Sequence, residues 1–155
     1  MSATITRFLE SHHIPYDMVE HTHAATSLQN AKAAHIDPHR VAKAVLLEGE
    51  DCMMVAVVPA DRRVHLGKLA MDSGKPLHLA QENDAGRLFE DCEPGAIPPL
   101  TVAYGVEMIW DDSLLENPDL YFEAGDHRQL IHVRTEDLRP MLEDMPHGMI
   151  SKQMI

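Results

Sequence analysis

The sequence predicts a single α+β domain in which peripheral helices cover a mixed or largely antiparallel sheet. The chain has 155 residues, the usual size of one domain. Helix-like and strand-like segments are interleaved without a regular βαβ period, and the sequence contains no Gly-rich phosphate loop, internal repeat or linker. We therefore assign residues 1–155 to one domain.

The first half of the chain contains the clearest strands. Residues 41–48 and 52–58 are β-branched, apolar runs joined by a short Gly-containing turn, which predicts a hairpin at the centre of the sheet. Capping residues and hydrophobic spacing predict the elements around it. In order, these are a helix capped by Ser2 or Thr4, a strand over 16–21, a helix opened by Thr26 or Ser27, the hairpin, and a helix over 64–72.

The second half is predicted to be more irregular. Residues 93–99 contain three prolines, which remove backbone donors and make a stiff loop. Around this loop we expect a strand over 77–80, a helix over 83–89, strands over 106–110, 120–123 and 129–134, and a final helix over 135–142. Residues 144–155 show no clear period and are expected to be loosely ordered.

Composition favours a cytoplasmic protein that does not enter a membrane. No apolar run approaches the roughly 20 residues of a membrane-spanning helix. Residues 1–13 lack the features of an export signal. Cys52 and Cys92 are too few and too far apart for a disulfide framework, so we expect both thiols in the core.

The charge distribution argues against DNA binding and against a protein that grips nucleic acid over its whole surface. The formal net charge is −12, whereas such proteins use Lys and Arg to neutralise phosphates. Residues 40–75 are an exception, because this stretch contains six basic and five acidic residues. Any contact with a polyanion is expected in this stretch.

Lys43 is the first candidate for a functional side chain. It interrupts an apolar strand, and alternation places it on the same face as Val41, Val45 and Leu47. An unpaired ammonium on a buried face is costly, so such a lysine either reaches the rim or faces a polar cleft and binds an anion. The local pattern leaves both interpretations open.

Two loops contain further candidates. In the Gly-x-x-x-Pro spacing from Gly95 to Pro99, backbone amides could stabilise an oxyanion, or the segment could be only a tight turn. Residues 125–128 place a carboxylate, an imidazole and a guanidinium in one turn. His127 could serve there as an acid or base, or the turn could be a solvated hairpin.

The eleven histidines raise the possibility of a metal site. Positions two apart on a strand share a face, so His21 and His23 could both reach one ion if the strand extended over them. No third or fourth ligand follows at a diagnostic spacing. We therefore expect no bound metal.

Taken in order, six segments resemble the YbaK/prolyl-tRNA-synthetase-associated domain over about residues 21–142. They are His23-Ala24-Ala25-Thr26-Ser27; the lysine strand 41–47; Val58-Pro59-Ala60-Asp61 leading to Lys68-Leu69-Ala70; Gly95-Ala96-Ile97-Pro98-Pro99; Asp111-Asp112-Ser113-Leu114; and Phe122-Glu123-Ala124-Gly125. Each is unspecific alone, but their order is the order found in the family.

This resemblance implies a curved sheet and an enzyme that hydrolyses the ester between an amino acid and the terminal adenosine of tRNA, without metal or cofactor. The expected partners are the aminoacyl-tRNA acceptor end and a synthetase or elongation factor that presents it. The family's recurrent functional elements map onto Lys43 and onto Gly95 to Pro99. Together with the local interpretation of the turn at 125–128, the expected catalytic residues are Lys43, Gly95 and His127, and the expected substrate-binding residues are Thr26, Ala96, Ile97, Pro98, Pro99, Gly125 and Asp126.

One departure from the family pattern concerns the turn after Gly125. Several relatives carry a basic residue there, whereas this chain has Asp126 and His127. We expect the turn to border the pocket and to influence which amino acid is removed. The alternative function is a non-catalytic module that binds a small molecule or a protein on the same fold.

Overall fold

A mixed sheet forms the centre of the computed structural model, which describes residues 2–22, 26–50, 52–74, 76–80, 89, 91–92 and 98–154. The described strands are β1 Asp17–Glu20, β2 Val41–Gly49, β3 Cys52–Pro59, β4 Arg62–Val64, β5 His78–Leu79, β6 Glu107–Asp111, β7 Asp119–Glu123, β8 Gln129–Arg134, β9 His147–Gly148 and β10 Ser151–Gln153. The mixed sheet has the order β1-β8-β7-β2-β3-β6-β9, with β5 also paired to β2, and β4 and β10 form a separate two-stranded sheet. The described helices are α1 Ala3–Ser11, α2 Ser27–Ala33, α3 Leu66–Ser73 and α4 Thr135–Glu143.

The hairpin of β2 and β3 lies at the middle of the sheet, as the sequence predicts. The two strands pair antiparallel, with Lys43 opposite Val58. Three other pairings, β2 with β7, β3 with β6 and β6 with β9, are parallel. The predicted α+β class with a mixed sheet is therefore confirmed.

The two faces of the sheet are covered differently. On one face the main core contains Trp110 and Phe122, and Ile5 and Leu9 of α1 belong to the same cluster. The other face has two smaller clusters. One joins Ala31 of α2 to the β2 residue Val41 and to Ala60, and the other joins Leu69 of α3 to Leu47, Ala56, Val58 and Ile150.

Several predicted boundaries are confirmed. Ser2 caps α1, because its hydroxyl accepts the Ile5 N–H, and Thr26 caps α2 by accepting the Gln29 N–H at 3.1 Å. The helix predicted from residue 64 begins instead at Leu66, because Arg62–Val64 forms β4. It ends at Gly74, whose φ of +70° is the left-handed conformation that glycine adopts without strain.

The expectation of a loosely ordered C-terminal segment is wrong. β9 pairs with β6, and β10 pairs antiparallel with β4. Ile150 between them is fully buried, and its N–H donates to Asp111 Oδ2 at 3.1 Å. Strands of two and three residues are too short to show a period, so their order comes from these distant contacts.

The predicted helix over 83–89 lies outside the described residues apart from Phe89, and so do residues 93–97 of the predicted stiff loop. Among the described helices, none is long and apolar enough to cross a membrane.

Candidate functional site

Lys43 lies between the two small clusters on its face of the sheet. Val41, two residues before it, packs under α2, and Leu47, four residues after it, packs in the α3 cluster. Alternation thus places Lys43 on the predicted face, but at a position that belongs to neither cluster. This position explains how a charged side chain fits in the middle of an apolar strand.

A pocket of about 570 Å³ opens over Lys43. Its described lining carries the positively charged side chains of Lys43, Arg63 and Lys152. No Asp or Glu is among these described lining residues, although the chain has 25 acidic residues and only 13 basic ones. The remaining lining residues are mostly apolar and are Val45, Val64, His65, Leu66, Gly67 and Leu79.

The electrostatic environment of Lys43 follows from its half-buried position. Burial lowers the pKa of its ammonium, and attraction to Asp61 offsets part of that effect. Asp61 also contacts His39, whose Nδ1 lies 3.3 Å from Asp61 Oδ1. Lys43 therefore has a carboxylate nearby but no direct ion pair within the described part of the chain.

His65 contributes a donor to the same pocket. Its Nδ1 accepts the Lys68 N–H at 3.1 Å and caps α3. In the neutral ring this leaves the proton on Nε2, so the second nitrogen is a donor. Leu66 and Gly67, the first two residues of α3, also line the pocket, so the positive end of a helix dipole faces it.

The structure shows that some of the basic residues in 40–75, the stretch expected to contact a polyanion, are already bound within the protein. Arg40 is bound to Asp119, with Nε 2.8 Å from Oδ1 and a second contact from its Nη2. The guanidinium of Arg62 donates to Ser151. Lys152, which lies outside residues 40–75, faces the pocket instead. The sequence missed it because it lies in the segment expected to be loosely ordered.

The turn after β7 is organised around the buried carboxylate of Glu123. Its Oε1 accepts the N–H groups of Ala124, Gly125 and His127 at 3.1, 3.3 and 3.1 Å. Its Oε2 accepts from Asn30 Nδ2 of α2 at 2.8 Å. One side chain therefore holds the turn in place and ties it to α2, a role that the sequence did not predict.

His127 is buried, with 7% of its surface exposed, and has a φ of +60°. The solvated-hairpin interpretation is therefore wrong for this residue. His127, Gly125 and Asp126 are not among the described residues that line the pocket over Lys43, and the expected place of this turn at the rim of the substrate pocket stays a prediction. Gly125 is also buried, with a φ of +103°.

Asp126 lines a second hollow of about 340 Å³ with Glu20, His21, Arg128 and Gln129. Its Oδ1 accepts the N–H groups of Arg128 and Gln129 at 3.0 and 2.9 Å. Burial acts to raise the pKa of Asp126, but these backbone donors outweigh it and the pKa is lowered. The carboxylate therefore stabilises the turn as an anion.

The other predicted site residues are only partly described. Pro98 and Pro99 are buried, and Thr26 is an exposed helix cap. Gly95, Ala96 and Ile97 lie outside the described residues, as does His23 of the considered histidine pair. No group of three or more metal-binding side chains is found within the described ranges.

A polar network precedes the Gly-x-x-x-Pro segment. Asp91 accepts from Ser2 Oγ at 2.9 Å, from the Thr4 N–H at 3.0 Å and from the Tyr104 hydroxyl at 2.5 Å. Burial raises the pKa of the neighbouring Cys92 thiol to about 11, so this cysteine stays protonated and weakly nucleophilic at neutral pH. The network joins the start of α1 to Asp91 and Tyr104.

Comparisons with known proteins agree with this architecture. The fold is similar to that of a protein described as "hypothetical protein APE2540", with a TM-score of 0.84, 16% identity, and coverage of 96% of this chain and 99% of that chain. It is also similar to a "putative trans-editing enzyme for prolyl tRNA synthetase", with a TM-score of 0.78, 21% identity, and coverage of 98% of this chain and 99% of that chain. No curated protein matches the sequence.

The decisive comparison is with a family described as the aminoacyl-tRNA editing domain, whose model matches residues 21–141. This range includes the lysine strand, the Gly-x-x-x-Pro segment and the turn at Gly125, the segments on which the resemblance in the sequence rests. The chain therefore belongs to the aminoacyl-tRNA editing domain family.

Proposed function

We propose that this protein is a trans-acting hydrolase that removes a wrongly attached amino acid from tRNA in the cytoplasm. The observation that carries the proposal is Lys43, a half-buried cation held over a 570 Å³ pocket on the strand where the family pattern places it. A volume of that size lies within the range of small-molecule sites. The similar fold described as a trans-editing enzyme supports the same activity.

In the proposed reaction water attacks the aminoacyl carbonyl carbon. The C–O bond to the ribose then breaks, and the ribose oxygen takes up one proton of the attacking water. The second proton is released to solvent, and the amino acid leaves as its carboxylate. Backbone amides near Gly95 stabilise the oxyanion, and the vicinal ribose hydroxyl assists proton transfer. No metal takes part, and no side chain forms a covalent intermediate.

Lys43 holds the nucleotide end of the substrate through its charge. The proposed reaction assigns no step to the imidazole of His127, which is buried, and a catalytic role for this residue stays a prediction. The backbone N–H of His127 donates a hydrogen bond to Glu123 Oε1, so this residue helps to hold the turn in place.

The test is a panel of mischarged aminoacyl-tRNAs incubated with the wild type in the presence and absence of EDTA. We expect rapid release of at least one amino acid, unchanged by EDTA. If no member of the panel is deacylated faster than it hydrolyses alone, the hydrolase proposal is wrong and the non-catalytic binding module is favoured. Loss of activity in EDTA would contradict the metal-free mechanism.

A further inference from the structure

Two cations face each other across the short sheet of β4 and β10. Arg63 and Lys152 are directly opposite in the antiparallel register, and both are exposed. Like charges at directly opposite positions destabilise a strand pair. Within the described part of the chain neither has a carboxylate partner, whereas the adjacent Arg62 is bound to Ser151. The arrangement therefore has an electrostatic cost that a bound anion would relieve.

Both cations line the pocket of Lys43, where the Nε2 proton of His65 adds a donor. The pocket thus concentrates positive charge in a protein whose net charge is −12. A cleft with walls of one charge focuses the potential and raises the local concentration of the opposite charge. These charges favour an anion in the pocket even though the protein as a whole is acidic.

The proposed function restricts which anion this is. In an aminoacyl ester the amino acid has lost its carboxylate charge and carries an ammonium group, which Lys43, Arg63 and Lys152 would repel. The anionic groups at that end of the substrate are the phosphodiesters of the acceptor strand.

Resting on the proposed function, we propose that Arg63 and Lys152 bind a phosphodiester of the acceptor strand next to the aminoacylated adenosine, with Lys43 completing the site. β4 and β10 thereby act as a phosphate clamp at one side of the pocket. The C-terminal segment is then part of the substrate site.

The experiment measures binding of the trinucleotide CCA, which has two phosphodiesters and no amino acid, in parallel with adenosine. The variants are Arg63→Met and Lys152→Met, and the control is Lys32→Met, which removes an exposed cation of α2 away from the pocket. We expect each pocket variant to weaken CCA binding about fivefold and to make the log–log salt slope shallower by about 0.7. Adenosine binding and the control should stay at the wild-type level.

A structural role would give a different result. Removing one of two facing like charges should leave the melting temperature unchanged or raise it, whereas a structural arginine or lysine would lower it on removal. CCA binding unchanged in both variants overturns the inference, as does inorganic phosphate that binds as tightly as CCA, since the site would then take free anions.

The outcome is separate from that of the proposed function, because CCA carries no ester. A wild type that binds CCA through Arg63 and Lys152 but deacylates nothing would refute only the hydrolase. A wild type that deacylates, with variants that bind CCA normally, would refute only the phosphate clamp.

Discussion

Replacing Lys43 by methionine should make the protein more stable and less active. Its cross-strand neighbour Val58 is fully buried, and burial lowers the pKa of the Lys43 ammonium, so the charge is held in an unfavourable environment. Methionine keeps most of the stem and removes the charge. We expect the free energy of unfolding at pH 7 to rise by about 1 kcal/mol.

The activity should change in the opposite direction. If Lys43 holds the anionic end of the substrate, losing its charge should lower kcat/KM for deacylation about 100-fold, which corresponds to about 2.7 kcal/mol of transition-state stabilisation. Lys32→Met again serves as the control for loss of an exposed lysine charge. Gain of stability together with loss of activity is the pattern of a residue kept for function.

The stability difference should also depend on pH. Unfolded lysine keeps its proton up to about pH 10.5, whereas folded Lys43 releases it earlier. Between these two pKa values the unfolded state binds more protons, so the stability of the wild type rises with pH relative to Lys43→Met. At pH values below the pKa of folded Lys43, both states bind the proton, so the destabilisation caused by the half-buried charge no longer changes with pH.

Urea denaturation of both proteins from pH 7 to pH 10.5 measures this difference. The advantage of Lys43→Met should be largest at pH 7 and should shrink toward the alkaline end. A variant that is less stable than the wild type at pH 7 and retains wild-type deacylation would refute the reasoning, because Lys43 would then be a structural residue.

Two further substitutions test the turn after β7. Glu123→Ala leaves three backbone donors without their acceptor and should lower the free energy of unfolding by about 3 kcal/mol or more, measured by urea denaturation. Glu123→Gln should cost much less, because its amide oxygen still accepts those donors. Rotation of the Asn30 amide would turn Oδ1, which has no partner among the described residues, toward the new amide N–H in place of Nδ2. Equal losses in the two variants would contradict this account. Gly125→Ala should cost about 1–3 kcal/mol because φ is +103° and the new Cβ would lie 3.2 Å from Cys92 Sγ. Gly148→Ala, with its nearest atom 4.0 Å away, is the control, and similar melting temperatures for the two variants would contradict the strain argument.

The sequence predicts the fold and Lys43 for the same physical reason. β2 and β3 are long enough to show alternation, so the face of each side chain can be derived from position alone. A lysine that interrupts the apolar pattern is then conspicuous. The central position of the hairpin also follows, because both strands are apolar on two faces.

The other cations that line the Lys43 pocket could not be predicted in this way. Arg63 and Lys152 come together because β4 and β10 pair across a large sequence separation, and each of these strands has only three residues. Arg40 is equally basic in sequence, but Asp119, far along the chain, binds it. Which cations stay available for a ligand is therefore decided by long-range contacts that no local pattern contains.

The acidic surface and the basic pocket together restrict the kind of polyanion that fits. At physiological salt, charges are screened beyond about 8 Å, so the net charge of −12 repels a distant polyanion only weakly. A long phosphate backbone lying against the surface, however, would be repelled directly by acidic side chains. A short single-stranded end can enter the pocket and meet Lys43, Arg63 and Lys152 without bringing the body of the nucleic acid against the surface. In the proposed function this balance favours weak contact with the acceptor end. It also gives a physical reason for a synthetase or elongation factor to present the substrate, because the affinity that the acidic surface cannot supply would come from that partner.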